Sequence, residues 1–198
     1  MSSNSDRFSR AMAAFDSYHQ KDPNTEIEAG KTYPGELLYA LRMTDTLAHF
    51  APDAGESVKL AARCQHIGRW EIPRQKYPMD RKGYLQWRNE EKIHHARIAE
   101  KILSDCGYDA DTIGQVKILL LKKELYTHAD SQLIEDVACL VFIAYYLEAF
   151  AAKHDDEKVV SILRKTAKKM SAAATEGIKD LKVSDKIRGL IKRALVVA

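Results

Sequence analysis

The sequence predicts an all-α protein, and the spacing of its apolar residues is the main reason. They recur every three or four positions along most of the chain, which is the period of an amphipathic helix, while strand-like alternation is nearly absent. The chain has 198 residues, of which 45% are hydrophobic and 30% charged, enough to bury a substantial core. We therefore predict a single helical domain over residues 6–181 and a basic amphipathic tail over residues 182–198.

Composition narrows the class of protein further. No apolar run approaches the roughly 20 residues that span a bilayer, and the N-terminal stretch has no apolar segment typical of a secretory signal. Cys64, Cys106 and Cys139 form no CxxC pair, which argues against a zinc ribbon or a disulfide framework. The net charge of +3 is too small to indicate nucleic acid. We expect a cytoplasmic protein without a membrane span. The sequence does not indicate an oligomeric state.

The N-terminal third of the chain predicts two helices joined by a connector. The first covers about residues 6–19, where four residues share one face: Phe8, Met12, Phe15 and His19. Thr25–Thr32 is predicted to be a polar connector. Pro34 suits the first turn of the second helix, where Glu36 complements the positive end of the helix dipole.

The middle of the chain predicts two helices around a turn. Ala54–His66 forms the first, and its small residues permit close packing. Gly68 to Lys82 forms the turn, and a long helix runs from Gly83 to about Cys106, where Gly107 ends it.

The C-terminal part predicts three helices and the tail. Thr112–Leu125 follows a cap at Asp109 or Asp111, and Asp130–Phe150 is apolar enough to be the central helix. The last two predicted segments are Glu157–Met170 and a basic amphipathic stretch, Lys179–Ala198.

Arginine and aromatic residues are concentrated in the turn and the start of the helix after it. They are Arg69, Trp70, Arg74, Tyr77, Arg81, Tyr84, Trp87 and Arg88. Arginine binds phosphate through paired hydrogen bonds and an aromatic ring can stack on a base, so this stretch predicts a pocket for an anionic ligand. The alternative is an internal network of salt bridges and cation–π contacts with four nearby acids: Glu71, Asp80, Glu90 and Glu91.

Three stretches resemble helices of HD-superfamily phosphohydrolases. LAARCQHIGRWEIP, residues 60–73, resembles the helix of small residues that ends in adjacent His and Asp before Ile-Gly-Lys. HARIAEKIL, residues 95–103, and LIEDVACL, residues 133–140, resemble two later helices of that family. The resemblance covers about residues 36–150 and implies an HD-like helical core with extra terminal helices.

The chain departs from the HD pattern at most metal ligands. Gln65 stands at the position of the His, and His66 at that of the Asp, in the metal-binding pair. The first His of the family falls near Tyr39 or Arg42, and the next His pair falls near Lys122–Lys123. Most ligands of a two-metal site are therefore absent.

Three candidate ligands remain, and the resemblance implies that they are catalytic: His66, His95 and Asp136. Two imidazoles and a carboxylate suit one divalent metal such as Zn, Mn or Mg. The alternative is that both histidines form hydrogen bonds in a polar core and bind no metal. Any metal is predicted to be single, because Gln65 is a poor ligand and His66 cannot bridge two ions as a carboxylate does. It is predicted to bind weakly, because Lys122 and Lys123 would repel a cation.

A longer set of motifs matches one family over about residues 8–171. The motifs are FDSYHQKDP, PGELLYALRM, AARCQHIGRWEIPR, YPMDRKGYLQWR, HHA, EDVACLVF and KHDDEKVVSILRKTAKKMS. On these motifs the chain is identified as a member of the family catalogued as domain of unknown function 4202. That resemblance implies a helical protein and brings no activity with it.

Together these patterns predict a protein that binds a nucleotide or another phosphorylated small molecule and hydrolyses it with a single metal. The alternative is a non-catalytic sensor or interaction module that binds an anion. Gln65, His66, His95 and Asp136 are predicted to converge on one cavity. The predicted substrate-binding residues are Gln65, Arg69, Arg74, Tyr77, Arg81, Tyr84, Trp87, Arg88, Lys122 and Lys123.

Overall fold

The computed structural model describes residues 4–123 and 127–195, and it confirms the all-α class. Contacts divide the chain into two compact units, Met1–Glu124 and Leu125–Ala198. The predicted boundary between domain and tail, at residue 181, therefore falls inside the second unit. No helix among the described residues is long and apolar enough to cross a membrane.

The first unit contains five helices and a hairpin among its described residues. They are α1 (Asn4–His19), β1 (Thr25–Glu28), β2 (Lys31–Pro34), α2 (Gly35–Phe50), α3 (Glu56–Arg63), α4 (Arg81–Asp105) and α5 (Ala110–Leu120). α1 packs on α2, α3 and α4, and α5 packs on α3 and α4. Fully buried apolar side chains from these helices form the core, among them Phe15, Leu38, Met43, Leu60, Leu103 and Leu119.

The prediction of a polar connector at Thr25–Thr32 is wrong, because the chain forms an antiparallel hairpin there. Ala29 and Gly30, with φ of 50° and 76°, make its turn. Arg42 of α2 donates hydrogen bonds of 2.9 Å to Glu26 Oε2 and to Glu28 Oε1. Ion pairs rather than an apolar face hold this hairpin, so the sequence lacks the alternation that indicates a strand.

Helix α3 ends at Arg63, earlier than predicted, and the chain then passes through two short 3-10 turns, Arg69–Glu71 and Arg74–Lys76. Helix α4 begins at Arg81 because Asp80 caps it, its Oδ1 accepting a 2.7 Å hydrogen bond from the Gly83 N–H.

Asp109 caps α5 in the same way, accepting from the Thr112 N–H at 2.7 Å. Of the predicted Thr112–Leu125 helix, the part at residues 124 and 125 lies outside the described residues.

In the second unit, the helix predicted as Asp130–Phe150 is divided by a π-helical turn. The helices of this unit are α6 (Ala129–Val141), α7 (Leu147–Ala151), α8 (Asp156–Ala167), α9 (Ala172–Gly177) and α10 (Asp185–Leu195). The π-helical turn covers Phe142–Tyr146. The prediction missed α9. Helix α10 packs on α8, so most of the predicted tail is part of this unit's core.

Candidate functional site

The turn after α3 places Gln65 and His66 beside α4. Gly68 makes this approach possible, because its φ is +74° and a Cβ there would lie 2.4 Å from Ile98 Cδ1 of α4. His95 of α4 reaches back to the turn, where its Nδ1 donates a 2.7 Å hydrogen bond to the Ile67 carbonyl oxygen. With its proton on Nδ1, the neutral His95 ring keeps a lone pair on Nε2.

His66 lies next to His95 in this site. The ring centroids of the two imidazoles are 5.8 Å apart, and His66 stacks on Tyr39 at 4.2 Å. Arg69 Nη1 donates to His66 Nδ1 over 3.2 Å, so the proton of the neutral His66 ring is on Nε2. The structure thus brings together two of the three residues predicted as metal ligands.

Both imidazoles are neutral near pH 7. Burial lowers the pKa of His95 to about 3, with cationic neighbours, Arg69 foremost, acting in the same direction. Burial also lowers the pKa of His66 well below its usual value, and Arg69, His95 and Arg88 lower it further. Neutral imidazoles can accept a hydrogen bond or bind a metal.

A narrow cavity opens beside these histidines. It is lined from the turn, from α4 and from the end of α5 by Gln65, His66, Arg88, Glu91, Lys92, His95, Leu120 and Lys122. The enclosed space holds little more than one water molecule. A ligand can therefore place only a small group inside, and its remainder must lie over the mouth.

Two buried carboxyl groups accompany the histidines. Glu91 is 1% exposed, and its Oε2 lies 3.6 Å from Arg69 Nε. Glu36 Oε1 lies 3.8 Å from the same nitrogen, and its Oε2 lies 3.6 Å from His66 Nδ1. The Arg69 guanidinium group therefore forms ion pairs with two carboxyl groups, those of Glu36 and Glu91.

The shared arginine does not fully offset the burial of these acids. Burial raises the pKa of Glu36 to about 8, with Arg69 opposing and Asp22 and Glu91 adding to the rise. Burial likewise raises the pKa of Glu91 to about 7 against the pull of Arg69 and Arg88. Near pH 7 the site consequently holds less than two full negative charges.

Among the described residues that line the cavity, cations outnumber acids by three to one. Arg88, Lys92 and Lys122 line it, and Arg88 forms no hydrogen bond or ion pair with any described residue. Lys122 adopts a φ of 52° just after α5, a left-handed conformation that is uncommon for lysine. Lys123 is exposed and lies outside the cavity lining. The excess of positive charge favours an anionic ligand.

The structure places the four arginines that are predicted to bind the substrate in different surroundings. Arg88 lines the cavity, and Arg69 reaches it through His66 and Glu91. Arg81 instead lines a separate surface depression, because it precedes Arg88 by seven residues and is thus about 10 Å away along α4. Arg74 donates to the Tyr77 and Asp80 carbonyl oxygens and so supports the turn.

The aromatic residues mainly brace the turn, as the internal-network alternative predicts. Tyr77 donates a 2.6 Å hydrogen bond to Glu90, and the Trp87 indole N–H donates to the Ile72 carbonyl oxygen at 2.8 Å. Arg69 lies over the Trp87 ring at 5.2 Å. Tyr84 is 47% exposed and remains available to a ligand.

Asp136 belongs to the second unit, where it has a structural partner. Its Oδ1 accepts a 2.8 Å hydrogen bond from the Ser171 N–H and a 2.9 Å bond from the Gln132 amide. The Ser171 side chain in turn caps α9. Within residues 4–123 and 127–195, no group of three or more His, Cys, Asp or Glu side chains is arranged to hold a metal ion.

Sequence reasoning missed the carboxyls and Lys92 as site residues. It relates Glu36 to a helix dipole, and Glu91 only to a salt-bridge network. The spacing along α4 does contain a signal. Three residues follow Arg88 at three, four and seven positions and so share a face of the helix with it: Glu91, Lys92 and His95. No comparable signal links Glu36, because its approach to His66 depends on how α2 packs.

Comparison with known proteins assigns the family. The family model described as domain of unknown function (DUF4202) matches residues 9–191. No curated protein and no solved structure matches the chain, so the likeness to HD phosphohydrolases remains a prediction. The match extends past Ser171 into α10 and thus includes a segment that the sequence motifs place outside the family pattern. The chain belongs to the DUF4202 family.

Proposed function

We propose that the chain binds the anionic group of a nucleotide or another phosphorylated small molecule at the mouth of the cavity beside His66 and His95. The observation that carries this proposal is the set of three cations on the cavity lining: Arg88, Lys92 and Lys122. They surround two neutral imidazoles and a carboxyl whose raised pKa weakens its negative charge.

Arg88 is the strongest support for an external partner. It is partly buried, and it has no hydrogen bond or ion pair with a described residue. The Arg88 nitrogens remain in contact with solvent, so a phosphate can replace water there with two charge-assisted hydrogen bonds. Because the cavity admits only a small group, the phosphate lies at its mouth and any base or sugar lies outside, within reach of exposed residues such as Tyr84.

Calorimetric titration of inorganic phosphate and a nucleotide panel tests this proposal with matched pairs of variants. Arg88→Ala should weaken binding about tenfold or more, since a hydrogen bond to a charged group contributes about 1.5–3 kcal/mol. Arg81→Ala removes the same charge from the same helix outside the cavity and should have little effect. Lys122→Ala and the exposed Lys123→Ala form a second pair. Equal losses within each pair would show that only net charge matters and would refute the site.

Hydrolysis with a single divalent metal at His66 and His95 is the second candidate. The neutral state of both imidazoles favours it, because a metal ligand must carry a lone pair. Metal content after dialysis should be substoichiometric and should rise when a phosphorylated ligand is added. Binding without metal and without turnover would instead assign the chain to the non-catalytic sensors or interaction modules.

A further inference from the structure

Among the described residues, three acceptor atoms at the cavity have no hydrogen-bond donor. Gln65 Oε1 and both carboxyl oxygens of Glu91 are buried and form no hydrogen bond. Gln65 is 3% exposed and Glu91 is 1% exposed, and both residues line the cavity. Buried acceptors are almost always paired in folded proteins, because leaving one unpaired costs about 1–3 kcal/mol. The cavity therefore lacks donors that a ligand can supply.

The number of these acceptors favours a group with several donors. The fully ionised phosphate group of an ester cannot satisfy them, since all of its oxygens only accept hydrogen bonds. A hydroxyl group has one donor, whereas a primary ammonium group has three, and its positive charge would favour the ionised form of Glu91. An ammonium group also has about the size of a water molecule, which is the space that the cavity provides.

We propose that the ligand is a zwitterion, in which a primary ammonium group enters the cavity and donates to Gln65 and Glu91 while a phosphate lies against Arg88, Lys92 and Lys122. This inference rests on the proposed function, because the anion site at the mouth orients the amine. It narrows the ligand class to aminoalkyl phosphates and larger phosphorylated amines. Arg69 does not occupy the place of the ammonium group, since its Nε stays 3.6 Å from Glu91 Oε2 and is shared with Glu36.

Two probes that differ in one group test the inference by calorimetry: 2-aminoethyl phosphate and 2-hydroxyethyl phosphate. The native chain should bind the amine about tenfold or more tightly than the hydroxyl compound, because the amine adds a charge-assisted contact. Glu91→Gln keeps the size of the side chain and removes its charge, so it should abolish most of this preference. Gln65→Glu adds a carboxylate and should increase the preference.

The outcomes separate this inference from the proposed function. Equal affinities for the two probes, both lost in Arg88→Ala, would overturn the amine site and leave the anion site standing. Failure of the native chain to bind either probe, inorganic phosphate or any nucleotide would overturn both. A preference for the amine that persists in Glu91→Gln and does not change in Gln65→Glu would also overturn the amine site. Circular dichroism of each variant confirms that it is folded.

Discussion

Replacing Glu36 by glutamine is expected to remove a loss of stability that the native chain suffers as the pH rises. The pKa of the Glu36 carboxyl is raised from 4.5 to about 8, mainly by burial. Between these values the folded state keeps a proton that the unfolded state has released. The free energy of unfolding must therefore fall as the pH rises through this window. The amide of the variant is neutral at every pH, like the protonated acid, and contributes no such fall.

The size of the effect follows from the shift. Each pKa unit corresponds to about 1.4 kcal/mol, so the full shift sets a ceiling of about 5 kcal/mol. The Glu36 side chain is 17% exposed, and water and local relaxation reduce the penalty. We expect Glu36→Gln to gain about 2–3 kcal/mol on the native chain between pH 5 and pH 8.

Buried histidines cause the native chain to lose stability as the pH falls. The pKa of His95 is lowered from 6.5 to about 3, chiefly by burial, so its contribution is present above pH 6.5 and is lost as the pH falls. His19, with a pKa of about 4, acts in the same direction. The native chain should be most stable near pH 6.5. Glu36→Gln should still lose stability as the pH falls below this value, but it should lose less than the native chain as the pH rises above it.

Urea unfolding at pH 5, 6.5 and 8 measures this difference. Asp45→Asn is the matched control, because Asp45 is an exposed acid on the same helix, α2, and its replacement should change the profile little. If Glu36→Gln and the native chain lose stability equally from pH 6.5 to pH 8, the carboxyl is not held protonated by burial, and the electrostatic description of the site is wrong.

Two substitutions test the local geometry. Gly68→Ala should cost about 2–3 kcal/mol in thermal unfolding, because a positive φ costs about 1–2 kcal/mol and the new Cβ must also displace the Ile98 Cδ1 methyl, 2.4 Å away, whereas Gly107→Ala, with φ +83° and open space, should cost only the backbone part. Equal costs would contradict the close approach of the turn to α4. Arg63→Lys should lose about 1–3 kcal/mol in urea unfolding, because an ammonium group cannot replace two bonds of 2.7 and 2.8 Å to the Asp16 carboxylate. An unchanged midpoint would show that this buried pair adds no stability.

Local patterns sufficed for most helices. Apolar spacing predicts α1, α2, α4 and α8 closely. Aspartates cap α4, α5 and α8, and of these caps the one at α5 is predicted above from the sequence. These signals work because a helix forms its hydrogen bonds within about four residues, and its buried face repeats with the same period. The hairpin at residues 25–34 was not predicted, because its stability depends on Arg42 and no local pattern connects Arg42 to it.

For the site, the sequence by itself determined that Gln65 and His66 follow a helix of small residues and that a glycine turn comes next. The expectation that these residues group with His95 came from the HD resemblance, which stays a prediction, and not from spacing along the chain. Spacing on α4 also contains enough information to place Arg88, Glu91 and His95 on one face. Such statements concern neighbours along one element, where geometry is fixed by the backbone.

Only the tertiary structure decided which charges share an environment. Glu36 meets His66 and Arg69 because α2 packs beside the turn, and Arg81 misses the cavity because it lies two helical turns from Arg88. The same packing leaves Gln65 and Glu91 buried without donors. The pKa of a carboxyl and the absence of a hydrogen-bond partner depend on burial by residues distant in sequence, and apolar periodicity records only that a face is buried, not which polar groups meet there.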